Sequence, residues 1–282
     1  MARFRYVIAD VFTDTPLQGN AVAVFTDARE IPEDKLQQIA REMNLSETVF
    51  VYKPEGEGHA RIRIFTPSIE MPFAGHPTLG TAFILSGPLQ LEEIRLETGT
   101  GVVPVRLERD DSGRIVFGRM AQPLPTIEPY GDEAELLEIL GVVGAELPVE
   151  LYDNGVRHVY VCLGSEDEVA GLRPDLGRLL DLDTVCVNCF AGDGSRWKTR
   201  MFAPASGVAE DPATGSAAGP LALHLARHGR IAFGDEIEIS QGEEVGRPSK
   251  LFARVDGSAD DVQRVEVGGS AVTVARGELS VP

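Results

Sequence analysis

Arg63-Ile64-Phe65-Thr66-Pro67, followed by Gly75-His76-Pro77-Thr78-Leu79-Gly80-Thr81-Ala82, reads as a strand, a loop, then a helix opened by Gly and Pro. Much later the same plan returns as Arg200-Met201-Phe202-Ala203-Pro204, followed by Glu210-Asp211-Pro212-Ala213-Thr214-Gly215-Ser216-Ala217. Each copy aims a helix N-terminus, with its unpaired N–H groups and positive dipole end, at something. His76 precedes the Pro in the first copy and Asp211 in the second. A repeated half with unlike polar groups at matching positions predicts one pseudo-symmetric cleft with asymmetric proton chemistry.

Working outward, the first half reads as strands over 3–11, 21–25, 48–52, 59–65, 91–97, 101–108 and 113–119. A helix over 33–43 carries Leu36, Ile39, Ala40 and Met43 on one face, with Asn44 as its C-cap. A second helix starts at Pro77 and is expected to stop at Ser86, before Gly87-Pro88. In the second half a helix over 132–140, a strand over 157–163 and a short helix over 173–180 precede strands near 184–190 and 196–203. The main helix then runs from Ser216 to His228, with Pro220 in its first turns, where a missing N–H does least harm. Strands near 235–240, 249–256, 262–267 and 271–275 finish the chain.

Many strands around one or two helices in each half, without βαβ alternation, predict an α+β class. Met120-Ala121-Gln122-Pro123-Leu124-Pro125 is the best linker, because its prolines favour extended chain. The expected domains are therefore 1–119 and 120–282, with the strand near 271–282 able to return to the first.

The 282 residues, 43% of them hydrophobic, suffice for real cores, and no apolar run is long enough to span a bilayer. With no signal-peptide pattern at the start, the reading is a cytoplasmic protein without membrane partners. A net charge of −18 argues against nucleic acid. An anionic small molecule can still be held locally at helix N-termini. Cys162, Cys186 and Cys189 make no disulfide framework. Cys186-Val187-Asn188-Cys189 lies in a strand pattern, where residues three apart face opposite ways, so core filling is the better account than zinc. His224 and His228 have metal-like i, i+4 spacing but lack the customary glutamate beside the first, and are read as surface residues. No metal is expected.

Glu47 sits between a helix end and an apolar strand, a junction that can desolvate a carboxylate and tune it as a general base. The plainer account is a solvated loop carboxylate. His76, beside a helix N-terminus, should stay neutral, either exchanging a proton or simply capping. Asp211 is by itself an ordinary cap. Ser216, with Thr214 and Gly215, can cap the same helix or bind a carboxylate. A Ser–His–Asp hydrolase made of Ser216, His76 and Asp211 is rejected, because residues 214–218 do not form a GxSxG elbow.

These residues sit in segments that resemble the PhzF family of phenazine-biosynthesis-like isomerases, related to diaminopimelate epimerase. The matching stretches include Leu17-Gln18-Gly19-Asn20-Ala21-Val22, Ala40-Arg41-Glu42-Met43-Asn44-Leu45-Ser46-Glu47, Pro72-Phe73-Ala74-Gly75-His76-Pro77, Asn188-Cys189-Phe190-Ala191-Gly192, Glu210-Asp211-Pro212-Ala213-Thr214-Gly215-Ser216 and Gln241-Gly242-Glu243-Glu244. Trp197 and the run from Leu221 to Gly229 match as well. The resemblance implies two pseudo-symmetric domains, each a curved, mostly antiparallel sheet around a central helix. It implies no metal, no organic cofactor and a homodimer. Carried over by position, it makes Glu47 the acid/base residue and His76 and Asp211 its catalytic companions. Ser216, Gly75, Gly215, Thr214, Asn20 and Ser46 become substrate neighbours. The best-known activity of the family is isomerisation of trans-2,3-dihydro-3-hydroxyanthranilate. The related epimerases use two cysteines at the paired helix starts, and this chain has no thiol at either. An epimerase or racemase of another amino acid, and an idle metabolite-binding relative, remain the alternative readings.

Overall fold

The computed structural model describes residues 2–182 and 185–282, apart from the side chains of 88 and 89. The chain divides into two compact units, Met1–Ala121 with Gly268–Pro282, and Gln122–Val267. Each repeats one pairing scheme.

In the first unit Ala2–Val11 pairs antiparallel with Asn20–Phe25, which runs parallel to Glu47–Tyr52. That strand pairs antiparallel with Ala60–Phe65, itself parallel to Glu93–Thr98, which pairs antiparallel with Gly101–Arg109. Ala271–Val281 lies antiparallel along Ala2–Val11. In the second unit the sequence of pairings is the same. Glu150–Asp153 is antiparallel to Arg157–Cys162, which is parallel to Cys186–Asp193. Cys186–Asp193 is antiparallel to Arg196–Ala203, which is parallel to Glu236–Gln241, and Ser249–Gly257 follows antiparallel.

The parallel steps dictate where helices go, because a parallel neighbour needs a crossover. Glu33–Met43 supplies the first crossover and Gly75–Leu89 the second. In the other unit Glu166–Gly171 with Leu176–Leu179, then Gly215–Arg227, take the same places. Strand alternation divides the two faces of each sheet. Phe25, Phe50 and Phe65 point to the first crossover helix and pack with Leu36 and Ile39, their rings 5.3 and 5.4 Å apart in sequence. Val22 points the other way, to the central helix Gly75–Leu89, where a Cβ at Gly80 would come within 2.8 Å of it. In the second unit Val159, Val161, Val187 and Cys189 join the core under the short helices. His158, Tyr160, Asn188 and Phe190 alternate with them, and the Tyr160 hydroxyl reaches the central helix at the Ala217 carbonyl.

Several elements differ from expectation. The helix begun at Gly75 does not stop at Ser86 but runs to Leu89, with Gln90 left-handed as C-cap. Arg109 holds this end, donating to the carbonyls of Ser86 and Leu91. The proposed linker starts inside a strand, since Ile115–Gln122 alternates inward at Gly118, Met120 and Gln122. Chain irregularity begins only at Pro123. The strand near 184–190 is Cys186–Asp193, and Thr184 lies outside the described residues. The sequence pattern missed Glu150–Asp153, Glu166–Gly171 and Val208–Asp211, all too short for a periodic signal.

His224 and His228 are not surface residues. His224 is fully buried and His228 half-buried on the last turns of Gly215–Arg227. Glu150 Oε2 draws them in, at 3.2 Å from His224 Nδ1 and 3.0 Å from His228 Nε2, and also accepts from Arg227 at 2.8 Å and the Tyr152 hydroxyl at 3.0 Å. The i, i+4 spacing serves this anion. The two histidines and Glu150 have the mutual distances of metal ligands, but the Arg227 guanidinium already places a cation on the shared oxygen.

Candidate active site

Glu47 is the first residue of Glu47–Tyr52 and follows the bend at Ser46. The preceding helix ends at Asn44, whose left-handed backbone turns the chain into the strand. The carboxylate is largely buried and its Oε2 lies 3.2 Å from His76 Nε2. His76 is the second residue of Gly75–Leu89, after the extended N-cap Ala74, and is 3% exposed. Pro77 follows in the first turn, where no intrahelical N–H is needed.

Burial pushes the His76 imidazole down to about 3, opposed by its hydrogen bond to the Ala21 backbone. The imidazole is therefore neutral near pH 7, and its approach to Glu47 is not a salt bridge. Nε2 makes no aligned hydrogen bond, so the bond to the Ala21 carbonyl uses Nδ1–H. This fixes the tautomer: Nε2 carries no hydrogen and lies 3.2 Å from the Glu47 carboxyl, out of line for a hydrogen bond. Asn20, 1% exposed, opens the strand beside Ala21. It is delivered by Gly19 at φ 67°, where a Cβ would sit 2.3 Å from the Val11 carbonyl oxygen.

In the second unit Asp211 ends Val208–Asp211 and is buried. It is not the cap of the following helix. Thr214 is the N-cap residue, without a side-chain cap bond, and its hydroxyl donates to Asp211 Oδ2 at 2.8 Å. Gln241 knits this corner, accepting from the Thr214 N–H at 3.2 Å and donating to the Asp211 carbonyl at 2.8 Å. Next to Asp211, Glu210 receives a two-pronged bond from buried Arg200 at 2.8 and 2.7 Å. Gly215 and Ser216 are the first helical residues, both buried. Ser216 does not cap the helix either. Its Oγ lies 3.0 Å from His158 Nε2.

Pro220 is the sixth residue of this helix and withholds the N–H that the Ser216 carbonyl would accept. Asn154 Nδ2 donates to that carbonyl instead, at 2.9 Å, while Gln122 and Tyr160 donate to the carbonyls of Gly215 and Ala217. Sequence reasoning missed His158, Asn154, Gln122 and Gln241. Only the strand alternation that turns His158 and Tyr160 inward could have flagged any of them. The three cysteines are buried and free, with burial pushing Cys189 up to about 12 and Cys162 up to about 11. None is at a helix start.

A duplicated unit of sheet around a buried helix, with a carboxyl–imidazole pair at one helix start, defines an epimerase-like α+β protein. The chain belongs to the PhzC-PhzF family of phenazine biosynthesis-like proteins, whose profile matches residues 9–277. It is 53% identical over 274 residues to the trans-2,3-dihydro-3-hydroxyanthranilate isomerase of Pseudomonas fluorescens, covering 97% of this chain and 98% of that one. Among solved structures, a PhzF-family phenazine biosynthesis protein of Bacillus anthracis superposes with a TM-score of 0.87 over the whole of both chains at 24% identity. A predicted epimerase of Pseudomonas aeruginosa superposes at 0.83, with 29% identity over 99% of this chain and all of that one.

Proposed function

We propose that the protein is a trans-2,3-dihydro-3-hydroxyanthranilate isomerase of phenazine biosynthesis that moves a proton by general acid/base catalysis. The 53% identity to the Pseudomonas fluorescens enzyme over nearly the whole of both chains supports the substrate. One observation carries the mechanism: Glu47 Oε2 lies 3.2 Å from Nε2 of a neutral His76 in a buried setting. Two basic atoms this close in a buried setting give an abstracted proton two places to reside, and a small rotation of either side chain passes it between them. Glu47 removes a proton from an activated ring carbon and returns one elsewhere on the ring, with His76 as its partner. Side chains suffice for this transfer, so the reaction is read as cofactor-independent.

Asn20, Ser46 and the N–H at Gly75 are assigned to the substrate beside Glu47. Asp211 is assigned to the substrate's hydroxyl or amino group, and Ser216, Thr214 and Gly215 to its carboxylate. Each unit is read as one domain. A cytoplasmic homodimer is the proposed working state, and sedimentation tests the dimer.

Glu47→Gln is expected to lower kcat on trans-2,3-dihydro-3-hydroxyanthranilate by on the order of 10²–10⁴ while leaving KM within a few-fold. Wild-type turnover in that variant refutes the assignment. Stereoinversion of a free amino acid by the wild type, without isomerisation of the cyclic compound, would make it a racemase.

A further inference from the structure

The polar groups around Ser216 have a direction. His158 is fully buried on the helix-facing side of Arg157–Cys162, with Nε2 3.0 Å from Ser216 Oγ and Nδ1 3.3 Å from Asn188 Nδ2. The Asn188 amide also lies 3.0 Å from the Cys186 carbonyl and 3.3 Å from the Val159 carbonyl. Carbonyl oxygens only accept, so the group of Asn188 turned toward them is its NH₂. The same NH₂ faces Nδ1 and shares its two hydrogens among the three; because it cannot accept, a hydrogen on Nδ1 would have no partner, so Nδ1 is the unprotonated ring nitrogen. A neutral imidazole that accepts at Nδ1 carries its hydrogen on Nε2. That hydrogen points at Ser216 Oγ, which becomes the acceptor and keeps its own hydrogen for another partner.

We propose that His158, oriented by Asn188, is a positioning residue that fixes Ser216 as a hydrogen-bond donor to the carboxylate of the substrate. This rests on the reading of Ser216 as a substrate contact. Burial keeps His158 neutral, pushing it down to about 3, so the relay does not reverse near pH 7. The same polarity explains why this Ser–His–Asn set is not a nucleophile. A serine activated by histidine must donate to an unprotonated Nε2, and here Nε2–H donates to the serine.

The two units support the assignment independently. The second residue of the central helix is His76 in one and Ser216 in the other. The second residue of the second paired strand is Ala21 in one and His158 in the other. In both, the strand position holds the helix position. In the first unit a backbone carbonyl accepts from His76, and in the second a side chain donates to Ser216. The scaffold contact is shared, and the donor direction is inverted.

Two measurements test this. Nitrogen NMR of the imidazoles is expected to show His158 as the neutral Nε2–H tautomer, with no change of state between pH 8 and 6. An Nδ1–H tautomer or a charged ring overturns the proposal, whatever Ser216 does. In steady-state assays with trans-2,3-dihydro-3-hydroxyanthranilate, His158→Phe and Ser216→Ala are each expected to raise KM by on the order of 10- to 100-fold, the range for one hydrogen bond to a charged group. The double variant should be little worse than either single one. His158→Gln, which keeps a side-chain N–H of similar reach, should recover part of the loss. Additive effects, or a fall in kcat with KM unchanged and no recovery by Gln, overturn the positioning role. A silent Ser216→Ala beside an Nε2–H tautomer instead overturns the substrate-contact reading, and the role with it.

Discussion

Pro220 and Asn154 form a pair whose energetic coupling can be foretold. The proline leaves the buried Ser216 carbonyl without its helical donor, and Asn154 Nδ2 fills the gap at 2.9 Å. Asn154→Ala leaves that carbonyl unsatisfied, which costs about 1–3 kcal/mol, and vacates buried volume besides. Pro220→Ala returns an N–H at the helical position, directed at the same oxygen. In that background the loss of Asn154 should therefore cost less by about 1 kcal/mol or more, leaving mainly the packing term. The assay is a double-mutant cycle on urea midpoints, with circular dichroism as the probe. For a unit of this size, 1 kcal/mol corresponds to about 2–4 °C in melting temperature, which is readily resolved. Hydrogen exchange gives a second reading: the new amide at position 220 should be protected in the Asn154→Ala background. Equal costs of Asn154→Ala with and without Pro220, or a fast-exchanging amide at 220, refute the account of how this helix tolerates its proline.

Acid should destabilise the fold earlier than carboxylate titration alone requires. His76, His158 and His224 are all lowered by burial, the first two to about 3, so each binds fewer protons folded than unfolded. Their contribution is complete above about pH 6.5 and is lost as pH falls below it, at roughly 1.4 kcal/mol per pH unit for each of His76 and His158. Urea midpoints unchanged between pH 7 and 5 would contradict this. Glu150 is held below the usual carboxylate range, with four donors outweighing the burial that raises it, so it adds a loss only below about pH 4.3. Glu150→Gln should flatten that lower step while lowering stability at pH 7, and an acid-unfolding profile parallel to wild type counts against the cluster. Gly219→Ala puts a Cβ 2.2 Å from Gln122 Oε1 and 2.5 Å from Val265, and overpacking of this kind should cost about 1–3 kcal/mol in thermal unfolding. Arg200→Leu leaves the largely buried Glu210 carboxylate without its guanidinium, and should cost about 3–5 kcal/mol in the same assay. Near-wild-type melting of either variant would show that its neighbours rearrange freely.

The sequence announced its repeat because the signal is local. A strand ending in Pro, then Gly opening a helix, occupies about twenty residues, and both copies fold as that plan requires. Glu47, His76 and Asp211 stood out as candidates for the same reason, each standing at a boundary marked by Pro, Gly or a helix end. What stayed hidden is held together over long separations. Asn154 meets Ser216 across 62 residues, and Glu150 meets His228 across 78. No periodicity connects such partners. That is why His224 and His228 read as surface residues: the helix pattern shows their spacing but not the carboxylate that draws them inward. The lone Pro220 was visible, but its harmlessness depends on Asn154, in the bend after a strand four residues long, too short to leave a pattern.

Duplication also explains how unlike chemistry comes from like scaffolds. Both units deliver the second residue of a buried helix to the second residue of the matching strand. The first unit answers His76 with a carbonyl, which leaves Nε2 without a hydrogen 3.2 Å from Glu47 Oε2. The second answers Ser216 with an imidazole N–H, which leaves the serine a hydrogen to give away. On the proposed function the first helix start holds the proton and the second binds the carboxylate. Exchanging the identities at the helix starts alone, Ser at 76 and His at 216, should therefore abolish both functions rather than trade them, because the tautomer-setting partners stay behind in the strands.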